Sequence, residues 1–120
     1  MIIATFNANS IRSRLDVVLG GLKDHKPDVL CVQETKAQDQ DFPALAFAEA
    51  GYTVVFRGEK SHNGVAIISK QKPSQVRFGL DDGQQPDETR LACAKVGPVY
   101  VVNTYVPQGR EIDNPMYPYK

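Results

Sequence analysis

The sequence lacks net charge, long apolar runs and an abundance of cysteine. Its 14 Lys and Arg residues are balanced by 14 Asp and Glu residues, so its formal net charge is +0. A balanced charge does not indicate a protein held to nucleic acid or a membrane by its overall field. No apolar run approaches the ~20 residues of a membrane-spanning helix, and the N-terminus does not have the basic-then-apolar form of a signal peptide. We therefore expect a cytoplasmic protein with no membrane partner.

The two cysteines, Cys31 and Cys93, both lie in apolar, strand-like segments. Such buried thiols are typical of proteins in a reducing compartment, so we expect free thiols and no disulfide. The hydrophobic fraction of 42% and the charged fraction of 23% are those of an ordinary globular protein. A chain of this length can form one domain with a real core.

The first third of the chain predicts a strand, a helix and a second strand. Residues 2–6 form the first strand, and residues 11–22 then repeat apolar side chains at the spacing of one helix face. Ser10 is the expected N-cap of this helix, and the Gly20-Gly21 pair marks its expected fraying end. Residues 29–32 are all apolar and predict a strand that is buried on both faces.

The polar residues that follow these two strands give the first indication of a site. Asn7 follows the first strand, and Glu34 follows the second. A short helical crossover makes two strands parallel and usually adjacent, so their carboxyl ends meet at one edge of the sheet. Open α/β sheets bind ligands at that edge. We therefore expect Asn7 and Glu34 to emerge side by side.

The rest of the chain predicts a short helix and more strands, several of them apolar on both faces. The helix is expected at residues 41–50 and the strands at residues 52–56, 64–69, 76–79, 90–96 and 99–105, with a hairpin turn at Gly97-Pro98 and an acidic loop at residues 80–88. Strands of this kind need cover on both sides, but two helices suffice for one side only. We expect half of a layered structure, in which one sheet face awaits a partner.

Four motifs in the chain resemble those of the exonuclease III family, the Mg²⁺-dependent AP (abasic-site) endonucleases of DNA base-excision repair. They are Phe-Asn-Ala-Asn-Ser-Ile-Arg at residues 6–12, Gln-Glu-Thr-Lys at 33–36, Gly-Val-Ala-Ile at 64–67 and Tyr-Val-Pro-Gln-Gly at 105–109. Each motif alone is weak, but all four occur in the family's order. The resemblance covers essentially the whole chain.

The resemblance implies an α/β fold that is half of a four-layer α/β sandwich, with a mixed β-sheet and helices on one face. Residues 1–120 would be the N-terminal part of such a domain, with the C-terminal half absent. The family's Gly-Asp-x-Asn motif, its later aspartates and its closing Asp-His pair have no counterpart in this sequence. The chain would therefore carry only part of an active site, and the missing half would be needed to cover the sheet.

The resemblance also implies roles for individual residues. Glu34 would bind Mg²⁺, with Mn²⁺ as an alternative, and Asn7 would bind or orient the same ion. Tyr105 would donate a hydrogen bond to the phosphate. The residues expected to contact the DNA backbone are Asn9, Arg12, Lys36, Asn63, Arg90 and Gln108. Relatives often carry an aromatic residue where this chain has His62-Asn63, so the roles of these two residues stay open.

The expected activity is cleavage on the 5′ side of abasic sites in double-stranded DNA, with 3′→5′ removal of nucleotides or blocked ends. One alternative within the same superfamily is a phosphodiesterase or phosphatase acting on inositol or lipid phosphates, or a non-specific nuclease. Another is an inactive fragment or a binding module, because half of the site has no counterpart. Asn9 and Arg12, together with the Tyr105 motif, favour the repair enzyme.

Overall fold

In a computed structural model that describes residues 1–59, 62–78 and 90–105, a four-stranded mixed sheet faces a three-stranded antiparallel sheet. The elements are β1 (Ile3–Asn7), α1 (Leu15–His25), β2 (Val29–Gln33), a 3₁₀ turn (Asp39–Asp41), α2 (Ala44–Glu49), β3 (Thr53–Glu59), β4 (His62–Ser69), β5 (Ser74–Phe78), β6 (Leu91–Val96) and β7 (Val99–Thr104). No helix in these ranges has the length and apolar character needed to cross a membrane.

The mixed sheet has the strand order β1-β2-β4-β3. β1 and β2 are parallel neighbours, with Asn7 opposite Gln33, whereas β4 runs antiparallel to both β2 and β3. The expected parallel pair is therefore confirmed. Because parallel strands end at the same edge, Glu34 leaves the sheet beside the end of β1.

Both helices lie on one face of the mixed sheet. Val18 and Leu22 of α1 and Phe47 of α2 are buried in a single cluster with alternate residues of the central strands β2 and β4. Full burial of each such side chain stabilises the fold by roughly 1.5–3 kcal/mol. The helix-covered face predicted from the sequence is thus confirmed.

The three-stranded sheet, in the order β5-β6-β7, covers the opposite face of the mixed sheet. Cys31 of β2 and Ile67 of β4 pack there against a row of small residues on β6 that includes Ala92 and Ala94. The expectation that this face awaits a partner is therefore wrong for the central strands β2 and β4, which the chain's own second sheet covers. Among the described residues, apolar side chains stay exposed at the β1 edge of the mixed sheet, where Ile3 is 49% exposed, and on the outer face of the three-stranded sheet, where Val102 is 61% exposed.

The start and the end of α1 differ from the sequence prediction. The helix begins at Leu15, its N-cap is Arg14, and the hydroxyl of Ser10 instead accepts the amide of Ser13 at 3.3 Å in the preceding turn. Ile11 is fully buried in that turn, so its place in the apolar stripe reflects tertiary packing outside the helix. The glycine pair does not fray the helix, which continues for four more residues to His25.

The remaining elements agree in type with the prediction and differ at their ends. The second helix is shorter than expected because it begins only after Pro43, and the 3₁₀ turn precedes it. The β6–β7 hairpin is confirmed, with Gly97 at a φ of 57°. The acidic loop at residues 80–88 and the closing motif at residues 106–109 lie outside the described residues.

Candidate active site at the ends of β1 and β2

The loops that follow β1 and β2 continue side by side beyond the sheet. The Ser10 amide donates to the Glu34 carbonyl at 2.8 Å, and the Ile11 amide donates to the Thr35 carbonyl at 2.9 Å. Paired backbone groups are what a rigid loop requires once it leaves the ladder. Glu34 is therefore held against the loop that contains the Asn-Ala-Asn-Ser motif.

The start of β4 supports the β2 loop from its other side. The Lys36 amide donates to the Asn63 carbonyl at 2.9 Å, and the Thr35 amide donates to the Gly64 carbonyl at 3.3 Å. Thr35 is only 1% exposed, and a Cβ atom on Gly64 would overlap its hydroxyl. Glycine is required at position 64 because of this close approach and because its φ is 95°.

Left-handed backbone conformations are concentrated in these loops. The φ angles are 46° at Asn9, 91° at Ser10, 54° at Glu34, 52° at Lys36 and 48° at Asn63. Asparagine tolerates this region, whereas each of the other residues pays on the order of 1–2 kcal/mol to adopt it. Backbone strain of this kind persists only where the surroundings enforce it, and it gathers at functional sites.

Four polar residues form one connected group at this edge, which we call the strand-end cluster: Asn7, Asn9, Glu34 and Lys36. The Asn9 amide donates to Asn7 Oδ1 at 3.1 Å, and Lys36 Nζ donates to Asn9 Oδ1 at 2.6 Å. Lys36 Nζ also lies 3.7 Å from Glu34 Oε2. The Glu34 side chain is 18% exposed, so its carboxylate is reachable from solvent without being fully surrounded by it.

The oxygen atoms of the strand-end cluster suit a hard divalent cation. Within residues 1–59, 62–78 and 90–105, no three His, Cys, Asp or Glu side chains lie close enough together to share a metal ion. Mg²⁺, however, commonly keeps several water ligands and uses only one or two protein carboxylates. Glu34 could offer one carboxylate to such an ion, and Asn7 an amide oxygen.

Tyr105 and Arg90 form a second group, located on the other sheet. The Tyr105 amide donates to the Arg90 carbonyl at 2.8 Å, and the half-buried Tyr105 side chain packs against the core between the sheets. Arg12 is exposed in the turn before α1, and Asn63 is 9% exposed at the start of β4. Gln108 lies outside the described residues.

Sequence reasoning missed a buried amide that connects the two sheets. Asn103 is 2% exposed, and its Oδ1 accepts a hydrogen bond from Gln33 Nε2 at 2.7 Å. The alternation of side chains along β7 could have indicated it. Val101 and Asn103 share the inward face, while Tyr100 and Val102 point outward. Reading this strand as apolar on both faces concealed that alternation.

Cys31 lies in the core between the sheets. Burial raises the pKa of its thiol to about 11, so the thiolate is scarce at neutral pH. Both Cys31 and Cys93 are free thiols in the described part of the chain.

The chain is an α/β protein in which two sheets face each other and helices lie on the outer side of one of them. Oxygen donors lie at the ends of its parallel strands, at the edge of the sheet. Residues 4–119 match the model of the endonuclease/exonuclease/phosphatase family. The chain belongs to this family.

Named relatives agree with the resemblance to exonuclease III. The chain is 34% identical to exodeoxyribonuclease III of Haemophilus influenzae over 109 residues, which cover 88% of the chain and 41% of that relative. The structure of an AP endonuclease from Archaeoglobus fulgidus has a TM-score of 0.92 at 54% identity, with 99% of the chain and 46% of that structure covered. For a 3′-5′ exonuclease from Neisseria meningitidis, the TM-score is 0.94 at 40% identity, with coverage of 100% and 47%. The chain thus spans less than half the length of the relatives it matches.

Proposed function

We propose that this chain is the N-terminal part of a Mg²⁺-dependent DNA phosphodiesterase of base-excision repair. The enzyme cuts on the 5′ side of abasic sites in double-stranded DNA and removes nucleotides or blocked ends in the 3′→5′ direction. The observation that carries the proposal is the strand-end cluster, in which Glu34 and Asn7 are joined through Lys36 and Asn9. The names of the relatives, an exodeoxyribonuclease III and an AP endonuclease, support the choice of substrate.

Glu34 and Asn7 are the residues proposed to hold the metal. A bound Mg²⁺ would neutralise negative charge on the phosphate oxygens as water attacks. Lys36 keeps a positive charge 3.7 Å from the Glu34 carboxylate, and its hydrogen bond to Asn9 fixes the ammonium group in place. The backbone at Glu34 is held by hydrogen bonds from the Ser10 and Ile11 amides to the Glu34 and Thr35 carbonyls, which reduces the ordering needed on binding.

Tyr105 is proposed as a catalytic residue whose phenolic Oη donates a hydrogen bond to the phosphate. Tyr105 follows β7 of the three-stranded sheet, whereas Glu34 follows β2 of the mixed sheet. Contacts to the DNA backbone are proposed for Asn9, Arg12, Lys36, Asn63, Arg90 and Gln108. Contacts to phosphate position a duplex without reading its sequence, as an enzyme acting on abasic sites in any sequence context requires.

A C-terminal half is proposed to complete both the site and the fold. The chain spans 46% of the A. fulgidus structure that it matches. At the β1 edge Ile3 is 49% exposed, and on the outer face of β7 Tyr100 and Val102 are each 61% exposed. Apolar surface of this extent is typical of an interface. The free thiols support action in a reducing compartment, for which we propose the cytoplasm.

The second candidate function is a binding module or an inactive piece. It differs from the first in one measurable respect, because it requires no metal-dependent turnover. A phosphodiesterase or phosphatase on inositol or lipid phosphates is a third outcome, distinguished by substrate.

The test is to incubate the full-length protein carrying this chain with an abasic duplex and, separately, with an inositol polyphosphate. We expect cleavage of the duplex with Mg²⁺, its loss in EDTA, and no phosphate release from the inositol compound. Hydrolysis of the inositol compound alone would replace the proposed substrate. A full-length protein inactive on both substrates but bound to the duplex would favour the binding module.

A further inference from the structure

A buried amide network connects the two sheets directly behind the strand-end cluster. Asn103 of β7 donates from Nδ2 to the Val32 carbonyl at 2.9 Å and to the Ala66 carbonyl at 2.8 Å. Gln33 donates from Nε2 to Asn103 Oδ1 at 2.7 Å and to Thr5 Oγ1 at 2.9 Å. The network therefore joins β7 to the three adjacent strands β1, β2 and β4.

The geometry of this network requires an amide at position 103. Both Nδ2 protons are used, and the two carbonyls that accept them belong to residues paired in the β2–β4 register, Val32 and Ala66. A carboxylate would place an acceptor oxygen in the position of Nδ2, against these two carbonyls. An apolar side chain would remove one of the acceptors of Gln33 and the donor to the Val32 and Ala66 carbonyls. A buried polar group left without a partner destabilises a protein by more than a typical hydrogen bond stabilises it.

The two ends of the network lie next to the two proposed reaction groups. Gln33 immediately precedes Glu34, and Asn103 comes two residues before Tyr105. Glu34 follows a strand of the mixed sheet, and Tyr105 follows a strand of the three-stranded sheet. The distance between them therefore depends on how the two sheets are held together at this end. The core farther along the sheet interface consists of apolar contacts, such as Val29 and Val96, which are not directional.

We propose that Asn103 is a positioning residue that fixes the position of Glu34 relative to Tyr105. The catalytic part of this proposal rests on the proposed function. Asn103 does not touch the substrate, and it acts through Gln33 on the backbone that holds Glu34. Displacement of a reacting group by about 1 Å costs an enzyme on the order of 100-fold in rate.

The test compares three variants of the full-length protein: Asn103→Leu, Gln33→Met and the control Val101→Ala. Asn103→Leu removes every hydrogen bond of the network to β7. Gln33→Met removes the bonds of Gln33 to Asn103 and Thr5, while Asn103 keeps its bonds to the Val32 and Ala66 carbonyls. Val101→Ala opens a small cavity on the same strand and the same inward face, and it removes no hydrogen bond. Because Gln33 is partly exposed, its variant is expected to fold even where Asn103→Leu does not.

Two readouts separate positioning from simple stabilisation. On abasic DNA with Mg²⁺, kcat is expected to fall about 10- to 100-fold for Asn103→Leu and less for Gln33→Met, with KM little changed. Hydrogen exchange at the Ser10 and Ile11 amides, which bond to the Glu34 and Thr35 carbonyls, is expected to accelerate in both variants. Val101→Ala is expected to match the wild-type protein in both respects.

Each possible result decides the proposal. If Gln33→Met and a folded Asn103→Leu keep the kcat of Val101→Ala, the positioning role is wrong while the proposed function stands. If the wild-type protein fails to cut abasic DNA, the proposed function is wrong. Hydrogen exchange alone then tests whether the amide network holds the loop that contains Glu34. Unchanged exchange at the Ser10 and Ile11 amides would then contradict this role of the amide network, and faster exchange would support it.

Discussion

At the scale of single residues, Glu34 has a strained backbone, a mostly buried side chain that is 18% exposed, and a nearby lysine. In the full-length protein, Glu34→Ala is expected to lower the rate of abasic-site cleavage by at least about 100-fold, since a bound metal contributes several kcal/mol to such a transition state. Affinity for the duplex should change little, because phosphate contacts elsewhere remain. Single-turnover kinetics and a DNA-binding titration measure the two effects.

The control for this variant is Glu49→Ala, which removes an exposed carboxylate at the end of α2. It is expected to leave both rate and affinity unchanged. Equal loss of binding and cleavage in Glu34→Ala would contradict a metal-binding role for this residue.

Tyr105 allows a test of the second reaction group. Tyr105→Phe removes only the hydroxyl, so the packing against the core between the sheets is retained. If the hydroxyl donates to the phosphate as charge develops, kcat should fall roughly 10- to 100-fold with little change in KM. Tyr100→Phe, on the exposed face of β7, is the matched control. An unchanged kcat in Tyr105→Phe would make this residue a core tyrosine only.

The two cysteines should differ in reactivity. Cys31 is 6% exposed, and burial raises the pKa of its thiol to about 11, whereas Cys93 is only partly buried. At pH 8 about one Cys31 thiol in a thousand is ionised, and alkylation proceeds through the thiolate. Iodoacetamide should therefore label Cys93 first, as mapped by peptide mass spectrometry. Faster labelling of Cys31 in the folded protein would show that the core between the sheets opens.

At the scale of elements, Gly64 sets the distance between β4 and the loop after β2. Gly64→Ala places a methyl group onto the Thr35 hydroxyl at a φ of 95°, so we expect a loss of at least about 2 kcal/mol in unfolding free energy. Gly20→Ala in α1 meets no atom within 4 Å and should stabilise the protein by about 0.5–1 kcal/mol. Denaturant unfolding of both variants measures the difference, and equal stabilities would contradict the close packing.

Much of the element order could be predicted because it follows from local pattern and chain connectivity. The parallel β1–β2 pair follows from the short crossover, and with it the meeting of Asn7 and Glu34 at one edge. The start of α1 was not predictable, because Ile11 is buried by packing in a turn and imitates the helical period. Nor does any local pattern reveal the left-handed backbone at Glu34, which contacts with neighbouring loops enforce.

The division of the strands between two sheets is the larger feature that sequence reasoning did not resolve. In the sequence, β6 and β7 are rich in apolar residues like β2 and β4, and only tertiary contacts show that the two pairs of strands belong to different, facing sheets. The role of Asn103 depends on that arrangement, since its acceptors are carbonyls of the other sheet. The cluster at Glu34 depends only on neighbouring loops, which explains why motif and position together indicated it.

At the scale of the whole molecule, the outer face of β7 and the edge at β1 expose apolar side chains, including Ile3 and Val102. Expressed without any further half, the chain is expected to self-associate and to show no cleavage of abasic DNA. Size-exclusion chromatography and the cleavage assay check these outcomes. A monodisperse, active chain would contradict the proposal that a second half completes the site.

The central claim is that Glu34, at the meeting point of two parallel strands, holds a divalent metal. Crystals of the full-length protein soaked in Mn²⁺, with anomalous diffraction recorded at the manganese edge, test it most directly. We predict an anomalous peak at coordination distance from the Glu34 carboxylate, and its loss in crystals of Glu34→Ala. A manganese peak elsewhere, with the Glu34 carboxylate still engaged by Lys36 alone, would contradict the claim.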